Sequence, residues 1–196
     1  MRAPPPLNQG KIIIISGPSG SGKTTLYKKL LESGRFKKKL VKSVSITTRP
    51  RRPGERSGRD YSFATRKEFR RKIKADYFLE WQKVFDNYYG TPRRPVERLL
   101  KEGRNVLLCI DVNGAACVSR RYPQAIKIFI TAPSLAVLKR RLKARGSEIQ
   151  KDMKLRLERA RKELAQAKVY DYAIVNDHLS EAFKKLEAIV KKSIDR

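Results

Sequence analysis

Histidine, tryptophan and cysteine are almost missing from this chain, which has one His, one Trp and two Cys in 196 residues. Cys109 and Cys117 have neither zinc-ligand spacing nor partners for a disulfide framework, so reduced thiols in a cytoplasmic protein are expected. The lone His178 follows Asn176-Asp177 and reads as a turn residue rather than a catalyst. No apolar run approaches the roughly eighteen residues of a membrane span. Residues 1–10 lack the apolar centre of a secretion signal, and their three prolines and one glycine point to a disordered lead-in. Acidic residues are scarce: 19 Asp and Glu stand against 47 Lys and Arg, a net charge of +28. No nucleic-acid-binding motif, internal repeat or Asn-Lys-x-Asp guanine motif accompanies that charge, which speaks against a dedicated DNA reader or a GTPase. The excess fits anionic substrates on a basic, solvated surface, with nonspecific association with nucleic acid at low salt as its by-product.

What is present is sharper. Gly17-Pro18-Ser19-Gly20-Ser21-Gly22-Lys23-Thr24 fits the phosphate-loop pattern at every fixed position. Ile12–Ile15 precede it and read as a strand buried on both faces; Thr25–Leu31 follow and read as the start of a helix. Glycines let backbone N–H groups close around phosphate oxygens, and the helix N-terminus adds partial positive charge. Lys23 can reach the β- and γ-phosphates and Thr24 can ligate Mg²⁺. A nucleoside triphosphate is the implied ligand, with Mg²⁺ as its cofactor.

Strand-like runs recur at Ile12–Ile15, Val41–Ile46, Tyr77–Trp81, Val106–Ile110, Ile126–Ile130 and Tyr172–Val175, with helix-like runs between most of them. The alternation predicts an α/β fold with a mainly parallel sheet. Ser134 is expected to cap a helix with Leu135, Leu138 and Leu142 on one face and Gly146 at its end. Two further stripes at helical spacing, Ile149, Met153, Leu157, Ala160, Leu164 and Leu179, Phe183, Leu186, Val190, read as core faces.

From Ser45 to about Thr91 the alternation fails, and the chain becomes aromatic and arginine-rich around an apparent helix Arg66–Lys74. Arg49 and Arg52 lie three apart in a proline-stiffened segment and can hold a phosphate as two guanidinium forks. Tyr61 and Tyr89 add hydroxyl donors. Glu80, between Leu79 and Trp81, is a partly dry carboxylate. A carboxylate only accepts hydrogen bonds, and guanine presents adjacent N–H donors, whereas adenine would leave it unpaired. Singly, each of these could be a solvated charge or a half-buried ring; their joint spacing singles them out.

The phosphate loop, Ser43 to Arg49, Pro53-Gly54-Glu55, Gly58-Arg59-Asp60-Tyr61, Phe78-Leu79-Glu80-Trp81, Asn87 to Thr91, Ile110 to Ala115 and Ile174-Val175-Asn176-Asp177 occur in order, and the series resembles the guanylate kinase family. The resemblance implies a P-loop NTPase-type three-layer fold over residues 11–196, with a small mixed α/β GMP-binding insertion at about 45–92 and a helical lid at about 139–160. It implies transfer of the γ-phosphoryl group of ATP to GMP, and to dGMP. Gly17 to Thr25 would cradle ATP (Gly17, Pro18, Ser19, Gly20, Ser21, Gly22, Lys23, Thr24 and Thr25), with Asn176 near the adenine. Arg49, Arg52, Tyr61 and Tyr89 would hold the GMP phosphate. Ser45, Glu80, Thr91 and Asp111 would read or brace the guanine, Asp111 also serving the metal's outer shell. Arg141, Arg145 and Arg156 would be lid arginines acting with Lys23 on the transferring phosphoryl group. Cys109 stands where the family usually has an acidic residue, which would lower metal affinity or rate. Related domains in scaffolds use the cleft to bind protein instead of nucleotide; they typically lack the intact Gly22, Lys23 and Thr24 present here.

Overall fold

The computed structural model describes residues 10–144 and 150–195. The element order is β1(Ile12–Ser16), α1(Lys23–Glu32), β2(Leu40–Lys42), β3(Ile46–Thr47), β4(Ser62–Phe63), α2(Arg66–Lys74), β5(Phe78–Val84), β6(Asn87–Pro92) and α3(Arg93–Lys101), followed by β7(Asn105–Cys109), α4(Val112–Arg121), β8(Ile126–Thr131), α5(Leu135–Ala144), α6(Gln150–Ala165), β9(Tyr172–Val175) and α7(Leu179–Ile194). A 3₁₀ turn spans Ala167–Val169. No helix among the described residues is long and apolar enough to cross a membrane.

The central sheet has five parallel strands in the order β2-β7-β1-β8-β9. The isoleucine run explains why β1 is in the middle. Ile13 and Ile15 pack with Leu26, Leu30, Leu186 and Val190 of α1 and α7. Ile12 and Ile14 pack on the other face with Val96, Leu100, Ala115 and Val118 of α3 and α4. Burying each such side chain is worth roughly 1.5–3 kcal/mol, so a strand apolar on both faces has its minimum between two helical layers. The α/β expectation with a mainly parallel sheet holds.

A second, mixed sheet of four strands in the order β4-β3-β6-β5 is built from within residues 46–92. Its core is aromatic: Phe69 of α2 stacks on Phe78 and Tyr88 with centroids 4.5 and 5.4 Å apart. Thr65 and Glu68 form the reciprocal cap that starts α2 where the sequence predicts it.

One expectation changes. The run Val41–Ile46 is not one strand: Leu40–Lys42 edges the central sheet, and Ile46–Thr47 belongs to the second. The chain keeps one more bond to the first sheet, Ser43 N–H to Leu107 O, before it crosses. Asn87–Pro92, in which Asn87, Gly90 and Pro92 offset the strand preference of Tyr88, Tyr89 and Thr91, pairs along β5 as an antiparallel hairpin. Ser134 caps α5 through its Oγ to Val137 N–H. Gly146, Ile149 and Arg145 lie outside the described residues.

Candidate active site

The register of the central sheet brings the two halves of the site together. Ile15 of β1 pairs with Cys109 of β7 in parallel. The loop leaving β1 and the segment leaving β7 therefore emerge from adjacent strands, roughly 4.8 Å apart, at the carboxyl edge of the sheet. The first becomes the phosphate loop and the second becomes Ile110-Asp111.

The phosphate loop is preformed. Gly22, at φ 88, precedes α1, and a Cβ there would meet Asn176 Nδ2 at 2.2 Å. Only glycine fits both the left-handed backbone and that approach. The Asn176 amide donates to Ser21 O at 2.8 Å, so this buried residue braces the loop from β9. Lys23 Nζ donates to Gly17 O at 2.6 Å and Pro18 O at 2.8 Å. Gly20, Gly22, Thr25, Arg141, Asn176, Asp177 and Leu179 line a cleft of about 280 Å³ beside the loop. Pro18 is buried, Ser19 exposed and Thr24 half-buried at the start of α1.

The second half lies between the two sheets. A register shift between Phe78 and Glu80 breaks the alternation of β5. Phe78 enters the aromatic core, Leu79 the central core, and Glu80 lies between Thr91 and Gly114 while remaining 5% exposed. Re-aiming one side chain is what such a bulge does. Thr91 Oγ1, from the paired strand, donates to Glu80 Oε1 at 2.6 Å. On its other side, a Cβ on Gly114 would lie 2.6 Å from Glu80 Oε2. Asp111 caps α4 by accepting from Gly114 N–H at 2.8 Å. Burial pushes the Glu80 carboxyl up to about 7, the Thr91 hydroxyl opposes that, and the nearby Asp111 charge adds to it. Glu80, Thr91 and Asp111 are thus brought together. Ser45 lies near β3, half-buried, its carbonyl accepting from Ser62 N–H.

The arginine segment forms a third group. Arg49 Nη2 bonds both oxygens of Glu55 at 2.7 and 3.0 Å, and Glu55 also accepts from Arg52 N–H at 2.9 Å. Burial opposes the charge on both partners, but their mutual bonds prevail: Arg49 is raised and Glu55 lowered. The Arg49 guanidinium lies 5.5 Å from the Tyr61 ring, which meets Tyr89 edge-on at 6.1 Å. Burial raises the Tyr61 hydroxyl well above its ordinary value, so it stays a donor at neutral pH. Asp60 ties this segment to the core through Lys28 at 2.6 Å and Arg56 N–H at 2.9 Å.

The arginines divide. Arg141 Nη1 donates to Asn176 O at 3.0 Å, placing it on the cleft side of the phosphate loop. Arg156 faces the Phe85 ring at 5.1 Å, on the second sheet's hairpin. Arg145 lies outside the described residues. Sequence reading gave no role to Glu55, Asp60, Phe85, Arg159 or Glu163. For Arg159 and Glu163 a signal existed in their i, i+4 spacing on a helix; the other contacts are tertiary.

The guanylate kinase family model matches residues 9–193. Guanylate kinase of Synechococcus sp. (strain JA-3-3Ab) is 45% identical over 186 residues, covering 95% of this chain and 84% of that protein. Guanylate kinase of Caldanaerobacter subterraneus subsp. tengcongensis is 44% identical over 191 residues, covering 96% and 91%. The crystal structure of guanylate kinase from Anaplasma phagocytophilum superposes with a TM-score of 0.79 at 34% identity, covering 96% of this chain and 88% of that one. With its phosphate loop and Asp111 on adjacent strand ends, this chain belongs to the guanylate kinase family.

Proposed function

We propose that the protein is an ATP:GMP phosphotransferase of purine nucleotide metabolism in the cytoplasm, working as a single domain with a GMP-binding insertion at about 45–92 and a lid at about 139–160. The observation that carries this is the pairing of Ile15 with Cys109, which opens the triphosphate loop and Asp111 on one sheet edge, with Glu80 of β5 held against Gly114, whose N–H Asp111 caps. Residues 17–25 hold the ATP phosphates, and Asn176 flanks the adenine side. Arg49, Arg52, Tyr61 and Tyr89 grip the GMP phosphate, for which Arg49 must leave Glu55. Glu80, braced by Thr91, accepts from the guanine N–H edge, with Asp111 and Ser45 beside it. A GMP phosphate oxygen then bonds the γ-phosphorus as the bridging oxygen to ADP departs. Lys23 and the arginines at 141, 145 and 156 offset the charge in transit, which is most of the catalytic task.

Mg²⁺ fits as a companion of ATP rather than as a resident of a protein cage. Among the described residues no group of three or more His, Cys, Asp or Glu could hold a metal. Both Asp111 oxygens are engaged, by Gly114 N–H and by Arg159. Thr24 would supply the protein ligand and Asp111 an outer-shell contact, and the ion would supply positive charge that offsets the negative charge of the ATP phosphates.

A coupled ADP-release assay with ATP and Mg²⁺ should show turnover with GMP and dGMP, which share phosphate and base edge, and little with AMP, CMP or UMP. Equal turnover with AMP would contradict the guanine reading. The +28 charge additionally supports weak, sequence-independent RNA association that falls steeply with salt.

A further inference from the structure

Arg159 joins three parts of the molecule that are distant in sequence. Its Nη2 donates to Asp111 Oδ2 at 2.9 Å, at the end of the central sheet. Its Nε donates to Glu163 Oε1 at 2.7 Å, one turn along α6. Its guanidinium also lies 5.5 Å from the Phe85 ring, at the tip of the β5–β6 hairpin. The Arg159, Asp111 and Glu163 side chains are 26%, 17% and 9% exposed, so solvent screens this cluster less than an ordinary surface pair.

Phe85 is unusual in its own right. Its φ of 53 is a left-handed conformation that bulky side chains avoid. Such a residue persists where its surroundings hold it, and here two guanidiniums of α6, Arg156 and Arg159, lie against its ring. The hairpin tip and α6 are therefore docked by a cation–aromatic contact, while the same arginine fixes Asp111.

The connection runs on to the base-reading carboxylate. Arg159 holds one Asp111 oxygen, and the other accepts from Gly114 N–H. Gly114 in turn approaches Glu80 too closely to carry a Cβ. Losing Arg159 removes the partner of Asp111 Oδ2 and leaves the carboxylate held at Oδ1 alone.

We propose that Arg159 is a positioning residue for the guanine end of the acceptor, aligning Asp111 and, through Phe85, seating the β5–β6 hairpin against α6. This rests on the reading of Glu80 and Asp111 as the base-recognising pair. It makes α6 part of acceptor selection as well as of phosphoryl transfer.

The test is steady-state kinetics on the full chain with GMP, AMP and ATP, for Arg159→Leu, Arg159→Lys, Phe85→Ala and Asp111→Asn. Arg159→Leu should raise KM for GMP roughly tenfold with a much smaller change in kcat and none in KM for ATP. Its GMP:AMP ratio of kcat/KM should fall, and Arg159→Lys should restore part of both. Phe85→Ala should act in the same direction and be non-additive with Arg159→Leu, because the two share one contact. An unchanged KM for GMP in Arg159→Leu, or parallel losses for GMP and ATP, overturns the proposal. Should Arg159→Leu fail to fold, Arg159→Lys with and without Phe85→Ala reads the same coupling, and strict additivity overturns it. If Asp111→Asn leaves GMP kinetics untouched, the base reading itself fails; if Asp111→Asn is impaired while Arg159→Leu is normal, only the positioning role fails.

Discussion

Lys23→Ala will lower kcat by on the order of 10³-fold, the scale of removing one preorganised charge from a phosphoryl-transfer site. GMP affinity will stay unchanged. The difference follows from where the ammonium is. It leaves the first turn of α1 and folds back on the carbonyls of Gly17 and Pro18, whereas Arg49 and Glu80 are held by Glu55 and Thr91. The loop itself is shaped by Gly22 and by the Asn176 amide, which the substitution leaves alone. Single-turnover kinetics and calorimetric titration of GMP separate the two effects. Turnover at the wild-type rate would contradict the role of Lys23, and lost GMP binding would show that the two halves of the site are not independent.

Glu80→Gln will collapse the preference for GMP over AMP, by on the order of 10²-fold or more, because a site built to accept two N–H donors rejects a base that lacks them. The neutral amide can present an N–H donor to adenine, which the carboxylate cannot. A pH signature accompanies it. Burial is the largest influence on Glu80 and holds its carboxyl at about 7. Only the ionised form accepts both guanine donors, so kcat/KM for GMP rises with pH through about 7 in the wild type, and that limb vanishes in Glu80→Gln. Stability of the free protein moves the other way. Between the ordinary carboxyl range and about 7 the folded state binds more protons than the unfolded one, so Glu80 contributes stability at low pH that is lost as pH rises through about 7. Thermal melts across that range, wild type against Glu80→Gln, check the sign. A GMP:AMP ratio unmoved by the substitution would mean that the base is read elsewhere.

The readable parts of this fold are those whose physics is local. An isoleucine run before a glycine loop specifies a buried central strand and an anion cradle. Thr65 and Glu68, three apart, fix the start of α2. Val41–Ile46 misled because β-branched residues favour extended backbone without naming the sheet; the crossing at Ser43 depends on Leu107, far along the chain. Asn87–Pro92 mixes strand-favouring Tyr88, Tyr89 and Thr91 with Asn87, Gly90 and Pro92, and its pairing with β5 decides the matter. In the site, Glu80 flanked by apolar residues is legible as a dry carboxylate, and it is buried. The bulge that aims Glu80, the Arg49–Glu55 pair and the Arg159 junction are not legible, because each joins groups whose proximity only the folded chain creates.

The central claim is that one continuous cleft holds both nucleotides end to end. Its most direct test is calorimetric titration with adenosine and guanosine joined through an oligophosphate long enough to span both pockets. One molecule should bind per chain, tighter than ATP or GMP alone by on the order of 10²-fold, since the second half binds at high effective concentration, and both Lys23→Ala and Glu80→Gln should weaken it. Two molecules per chain, or an affinity no better than that of ATP, would show that the pockets do not face each other.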